Sequence, residues 1–136
     1  MNALDWTGFH HLSINVHDVA KSEQWYVGVL GFTRLTSYAT DRFERVILRH
    51  DSGAMLGLSR HRAVEADEEF DERRPGLDHL ALHVTDRANL EGWARHFDRL
   101  GVEHSGIQPG AVHGSALLAF RDPDNIQLEL ISLPAA

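Results

Sequence analysis

The sequence predicts an α+β fold made of two similar βαβββ modules, and three observations support this prediction. The segment His11–Asp18 recurs as His79–Asp86 at an offset of 68, with His, Leu, Val and Asp identical. Each copy alternates apolar and polar residues, which is typical of a half-buried strand. Each is then followed by a helical pattern that ends at a glycine. The repeat therefore predicts that the two halves of the chain have the same order of elements.

The similarity between the two halves continues beyond this segment. Residues 30–32 align with 100–102 at an offset of 70, and residues 54–58 align with 126–130 at an offset of 72. These matches place the modules at about 8–62 and 76–133 of a single domain covering 1–136. The acidic segment at about 63–75 is interpreted as a solvated linker.

The elements of the first module follow in order. A strand is predicted over 11–16, because Leu12, Ile14 and Val16 alternate. Asp18 is the predicted N-cap of a helix that ends at Gly31. Three further strands are predicted at 32–38, 43–50 and 54–59.

The second module repeats this order. A strand at 79–84 is followed by Asp86 as N-cap, and the helix ends at Gly101. The spacing predicts one apolar stripe on this helix, made of Leu90, Trp93, Phe97 and Leu100. Strands are predicted at 102–107, 115–121 and 126–132.

Composition excludes several classes of protein. With 136 residues, 43% hydrophobic and 24% charged, the chain is typical of one globular domain. No apolar run approaches the roughly 18 residues of a membrane span, and no secretory signal is recognisable, so we expect a cytoplasmic protein without a membrane partner. A net charge of -7 argues against nucleic acid. The absence of cysteine leaves nitrogen and oxygen as metal ligands.

Alternation along the first strand of each module places the core residues on one face and the candidate binding residues on the other. In each first strand the residues between the apolar ones share the opposite face, which is unusually polar and suggests a binding cavity. The predicted substrate pocket combines residues of this face with two aromatic side chains; its members are Ser13, Asn15, Tyr38, His83, Phe120 and Gln127.

The repeat selects two of the ten histidines as metal ligands. His79 and His83 are four residues apart on a strand, about 13 Å, so only one of them can bind a given ion. His79 is the counterpart of His11, whereas His83 is matched by Asn15. Glu129 supplies a carboxylate on the same face, and its counterpart is Gly57.

His11, His79 and Glu129 are therefore the predicted ligands of a divalent ion, which could be Fe, Mn, Co, Ni or Zn. Glu129 is also a predicted catalytic residue. His113, just before the strand at 115–121, is a further acid–base candidate.

The sequence resembles the vicinal oxygen chelate superfamily, the group of glyoxalases, bleomycin resistance proteins and extradiol dioxygenases. The stretches that carry the resemblance are 11–18, 22–26, 29–32, 76–84 and 120–131. The resemblance implies that the two modules form a curled, open barrel-like mixed sheet around a metal, the glyoxalase/bleomycin resistance/dioxygenase fold. It also implies a homodimer that binds a small molecule, with metal ligands at the positions of His11, His79 and Glu129.

Departures from the family patterns narrow the range of reactions that the resemblance implies. Glyoxalase I uses a fourth ligand where this chain has Gly57. Fosfomycin-modifying enzymes would call for a basic cavity, and Lys21 is the single lysine. Extradiol dioxygenases use the same triad in longer chains.

Two functions remain open. The first is a divalent-metal-dependent lyase, isomerase or ring-cleaving dioxygenase that acts on a small oxygen-chelating substrate. The second is a binding protein that sequesters an antibiotic or metabolite without turnover, as bleomycin resistance proteins do. Its candidate aromatic contacts are Trp25, Tyr38, Phe43 and Phe120.

Overall fold

A computed structural model describes residues 4–63 and 68–135. The chain divides into two compact units, Met1–Ala66 and Asp67–Ala136, and each unit contains one helix and one four-stranded sheet. The order of elements is βαβββ in both units. The predicted α+β fold of two βαβββ modules is thus confirmed.

The first unit contains β1 (Leu12–Asn15), α1 (Val19–Leu30), β2 (Thr33–Ala39), β3 (Phe43–Arg49) and β4 (Met55–His61). Its strand order is β1-β4-β3-β2, with β1 parallel to β4 and the other pairs antiparallel. The sheet keeps two edges, β1 and β2, and is not closed into a barrel.

The second unit contains β5 (Leu80–Val84), α2 (Arg87–Leu100), β6 (His104–Pro109), β7 (Ala116–Arg121) and β8 (Gln127–Ser132). Its order, β5-β8-β7-β6, repeats that of the first sheet, again with one parallel pair.

Both helices begin and end at the predicted residues. The side chain of Asp18 accepts a hydrogen bond from the backbone N–H of Lys21 at 3.0 Å, and Asp86 does the same for Asn89 at 2.8 Å. Each bond satisfies an N–H group that the helix itself leaves unpaired. Gly31 and Gly101 end the helices at φ 77° and 70°, a left-handed conformation that glycine adopts without strain.

Each helix packs against one face of its own sheet, and the apolar residues of that face form the core. Leu48, Leu56 and Leu58 are buried in the first unit, as are Leu118, Leu128 and Leu130 in the second. We call the face opposite the helix the open face of each sheet.

The structure differs from one sequence prediction here. Leu90 and Phe97 of α2 are fully buried, but Leu100 is 49% exposed, so the apolar stripe ends one turn before the helix does. Residues 68–74 belong to the second unit, where Glu72 pairs with Arg121 on β7 and Glu69 and Arg73 are exposed. Residues 64–67 of the predicted linker lie outside the described residues.

Within the described parts of the chain, no helix is both long enough and apolar enough to cross a membrane.

Candidate metal centre

The open face of the second sheet brings His79 and Glu129 together. The parallel register pairs Ala81 with Glu129, and His79 precedes Ala81 by two residues on the same face. His79 Nε2 lies 3.5 Å from Glu129 Oε2, and the glutamate side chain is only 14% exposed. Two of the three predicted ligands are therefore neighbours.

This separation suits two ligands of one ion. Ligand atoms about 2.1 Å from a metal lie about 3.0 to 3.4 Å apart at octahedral or tetrahedral angles. The observed 3.5 Å leaves room for a cation between imidazole and carboxylate. An imidazole with one carboxylate is also a donor set that suits divalent transition metals.

Asp78 orients the His79 ring. Its Oδ1 lies 2.6 Å from His79 Nδ1, so Nδ1–H donates to this carboxylate and Nε2 is the ring nitrogen that faces Glu129. A carboxylate behind a histidine is a common arrangement at metal sites. The hydrogen bond to Asp78 and the charge of Glu129 raise the pKa of His79, and partial burial opposes that effect.

Glu129 is held from its other side. Gln127 Nε2 donates to Glu129 Oε1 at 3.4 Å, and Gln127 Oε1 accepts from Arg121 Nη2 at 3.3 Å. Arg121 also donates to both carboxylate oxygens of Glu72, at 2.8 and 3.2 Å. The hydrogen bond from Arg121 lowers the pKa of Glu72. A chain of hydrogen bonds thus runs from the acidic segment to the candidate ligand.

His11, the third predicted ligand, lies in the first unit at the start of β1 and is exposed. Its Nδ1 is 2.8 Å from His10 Nδ1, so one ring donates to the other and His11 Nε2 stays free of that bond. The residue before the candidate ligand thus engages Nδ1 in both units. Among residues 4–63 and 68–135, no group of three or more His, Asp or Glu side chains is placed to hold a metal.

The other histidine candidates lie apart from the His79–Glu129 pair. His83 is exposed on β5 opposite Ile131, so His79 rather than His83 is next to Glu129. His113 is exposed in the loop before β7. No described contact joins His113 to either predicted ligand, and its acid–base role stays a prediction.

The open face of the first sheet has a different character. Ser13 pairs with Gly57, and Asn15 pairs with Ser59. A Cβ atom at Gly57 would overlap Ser13 Oγ and lie 3.2 Å from Ser13 Cβ. A side chain at the position equivalent to Glu129 therefore requires Ser13 to move.

Two of the predicted aromatic contacts lie on this open face. Tyr38 is 47% exposed, and its ring is 5.9 Å from the ring of Phe43. Trp25 is half-buried on α1 against Tyr26.

The structure corrects the placement of Phe120. It is 3% exposed, and its ring is 4.6 Å from that of Phe97 in α2. Phe120 shares the helix-facing side of β7 with Leu118, because residues two apart on a strand point the same way. It is a core residue and is removed from the candidate pocket.

Sequence reasoning missed several side chains that support the site. His10 and Asp78 directly precede the candidate ligands, so the repeat itself could have identified them. Arg45 on β3 was also missed, although alternation with the buried Val46 assigns it to the open face. The pairing of Glu72 with Arg121 spans 49 residues, and no local pattern indicates it.

Comparisons with known proteins agree on one family. The model of the Glyoxalase/Bleomycin resistance protein/Dioxygenase superfamily matches residues 8–130. The chain is 31% identical to the Bacillus subtilis (strain 168) protein "Uncharacterized protein YwkD" over 128 residues, covering 89% of this chain and 93% of that protein.

Solved structures show the same fold. A glyoxylase/bleomycin resistance protein/dioxygenase domain from Frankia sp. EAN1pec is 30% identical with a TM-score of 0.85, covering 94% of this chain and 93% of that one. The fosfomycin resistance protein FosX from Listeria monocytogenes, crystallised with Mn(II) and sulfate, is 15% identical with a TM-score of 0.70. That match covers 95% of this chain and 94% of FosX.

Proposed function

Since the chain belongs to the Glyoxalase/Bleomycin resistance protein/Dioxygenase superfamily, we propose that it is a divalent-metal-dependent enzyme acting on a small oxygen-chelating substrate. His11, His79 and Glu129 are the proposed protein ligands. The observation that carries this proposal is the 3.5 Å approach of His79 Nε2 to Glu129 Oε2, with Asp78 fixing the ring from behind.

When bound, the ion supplies Lewis-acid chemistry, which polarises substrate oxygens in lyase, isomerase or dioxygenase reactions. The chain's own residues prepare the site for it. Asp78 holds the proton at His79 Nδ1, and Gln127 holds one oxygen of Glu129. Gly57 offers no ligand, so three protein ligands leave coordination positions for two vicinal oxygens of a substrate.

Metal content and metal-induced stabilisation test this proposal. Protein purified without added metal is analysed for its elements, and its melting temperature is then measured with Mn²⁺, Fe²⁺, Co²⁺, Ni²⁺ and Zn²⁺. We expect His79→Ala to abolish the stabilisation, because a ligand that binds only the folded state raises its stability. His83→Ala, four residues further along the chain and on the same face, is the matched control and should keep it. Wild-type protein that no metal stabilises would refute the proposal.

A homodimer accompanies this proposal. Each module has roughly 65 residues and buries little apolar surface alone, which favours assembly. Light scattering on the purified protein measures the mass, and twice the chain mass of 15.3 kDa is the expected value. Mixing His11→Ala with His79→Ala chains then tests whether one metal draws ligands from two chains, since hybrid dimers would regain part of the metal binding.

Sequestration without turnover is the second candidate function. The observation that favours it is the pair of aromatic rings on the open face of the first sheet, Tyr38 and Phe43, with Tyr38 47% exposed. Aromatic faces bind planar drugs and metabolites. Tight binding of an aromatic antibiotic that persists after chelation, with no product formed, would favour this function over the metal-dependent one.

A further inference from the structure

Arg45 lies at the centre of the open face of the first sheet. It pairs with Tyr38 on β2 and with Ser59 on β4, so strands flank it on both sides. Despite its charge it is half-buried. A cation at such a position requires partners that compensate for lost hydration.

The partners of Arg45 are all neutral. Its Nε donates to Ser59 Oγ at 2.6 Å, and its Nη1 donates to Tyr38 Oη at 2.8 Å. The guanidinium carbon lies 4.3 Å from the centroid of the Phe43 ring. These contacts hold the planar group in one orientation and leave its charge uncompensated.

Burial and pairing together distinguish Arg45 from the other arginines of the described residues. Arg49 and Arg60 also lack an ion pair with a described residue, but both are exposed. Arg34, Arg73 and Arg121 each lie within 4.0 Å of a carboxylate. Arg45 forms no ion pair with any residue that the structure describes, and its hydrogen bonds to Ser59 and Tyr38 use two of its five N–H groups. Three N–H groups, on Nη1 and Nη2, stay available as a fork, the geometry that binds oxyanions through two parallel hydrogen bonds.

We propose that Arg45 and Tyr38 form an oxyanion subsite that binds a carboxylate or phosphate group of the substrate. The Tyr38 hydroxyl oxygen accepts a hydrogen bond from Arg45 Nη1, so the hydroxyl proton can form a hydrogen bond to the anion. Ser59 is 1% exposed, and its hydroxyl accepts the hydrogen bond from Arg45 Nε that holds the guanidinium in place. This inference rests on the proposed function for the identity of the ligand as a substrate, and it makes that substrate an anion.

Anion titration of the metal-free, full-length protein tests the subsite. Chelator-treated protein is titrated with inorganic phosphate and with acetate in low-chloride buffer at constant ionic strength, and the ¹⁵N-labelled arginine Nε–H signals are followed by NMR. Acetamide, which is uncharged, is the ligand control. We expect the Arg45 signal to move with both anions and not with acetamide; the tighter anion indicates which acid group the substrate carries.

Two charge-neutralising variants distinguish specific anion binding at Arg45 from general electrostatic attraction to the protein. Arg45→Gln should weaken anion binding about tenfold or more, which corresponds to the loss of a charge-assisted hydrogen bond. Arg60→Gln removes the same charge from the same module, but from the helix-facing side of β4, and should leave binding within about twofold. Equal weakening by both variants, or no Arg45 response in the wild type, would overturn the proposal.

Folding and metal binding are checked separately. Arg45→Lys keeps the charge but loses the fork, so it should bind anions several-fold more weakly even if Arg45→Gln fails to fold. His79→Ala should keep phosphate binding while losing stabilisation by Mn²⁺. Arg45→Gln should keep the Mn²⁺ effect, so a failure of the subsite and a failure of the metal proposal give different results.

Discussion

The two sheets can be compared position by position, because one offset of 72 relates both β3 to β7 and β4 to β8. On the helix-facing side, the pair Val46–Leu58 corresponds to Leu118–Leu130. All four residues are at most 5% exposed. This face is apolar in both units because a helix packs against it.

The open faces differ at the same registers. Gly57 stands where the second sheet has Glu129, and the pair Arg45–Ser59 stands where it has Leu117–Ile131. Within the described residues of each unit, the helix packs on the other face, so these side chains are not part of the helix–sheet core. One face carries a carboxylate beside a histidine, and the other carries an uncompensated guanidinium. Two copies of one backbone plan thus carry side chains of opposite charge on their open faces.

The largest expected effect tests the likeness of the buried faces. Leu56→Ala and Leu128→Ala are equivalent truncations of residues that are 2% and 0% exposed. Each should lower the free energy of unfolding by about 2 to 5 kcal/mol, because a cavity is left in the core. Denaturant unfolding measures both variants. A loss below about 1 kcal/mol in only one of them would show that the two cores are not equivalent.

The next effect concerns the residues that engage Nδ1 of the candidate ligands. Asp78→Ala and His10→Ala should each weaken metal binding by about 10- to 100-fold, because an unsupported imidazole loses its orientation. Titration calorimetry with Mn²⁺ or Zn²⁺ measures the affinities. His61→Ala, a change at an exposed histidine at the end of β4, is the control. Unchanged affinity in Asp78→Ala would show that this carboxylate does not support metal binding.

Gly57 tests the difference between the open faces directly. Gly57→Ala should destabilise the first unit by about 1 to 3 kcal/mol, since the new methyl group overlaps Ser13. The double variant Gly57→Ala/Ser13→Gly should recover most of this loss, because it removes the overlapping hydroxyl. Thermal unfolding of wild type, the single variant and the double variant measures the loss and its recovery. Equal stability of the double and single variants would mean that the overlap is not the cause.

The smallest effect comes from the exposed Glu72–Arg121 pair and depends on pH. Because Arg121 lowers the pKa of Glu72 in the folded protein, the pair stabilises the fold above the ordinary glutamate pKa. This contribution is lost as the pH falls through the lowered folded value. Melting temperatures of wild type and Glu72→Gln should therefore differ slightly at pH 7 and converge in acid. Glu69→Gln, in the same segment, should match wild type at both pH values.

Elements whose signals are local were predictable from the sequence. Capping by Asp18 and Asp86 and the alternation of the strands determined the helix starts and the core faces. Residue-type reasoning failed where strand register decides. Phe120 is aromatic and close in sequence to Glu129, yet its position two residues from Leu118 puts it in the core. The same alternation places Arg45, next to the buried Val46, on the open face.

Contacts between distant residues were beyond local patterns. The acidic segment has the composition of a solvated linker, and the partner of Glu72 lies 49 positions further along the chain. Asn125 makes a second such contact when its side-chain N–H donates to the carbonyl of Phe70 at 3.4 Å. Pairings of this kind depend on how the whole unit folds.

The Glu72–Arg121 pair also bears on cleavage of the chain. Arg73 is exposed and directly follows Glu72, whereas Arg74 precedes Pro75, whose ring blocks cleavage after it, so the Arg73–Arg74 bond is the natural trypsin site of the acidic segment. A protease needs several residues in extended, mobile form, and the pairing with Arg121 restrains the residues on one side of this site. The rate of cutting after Arg73 therefore reports how often the segment detaches, and Glu72→Gln should be cut faster than wild type.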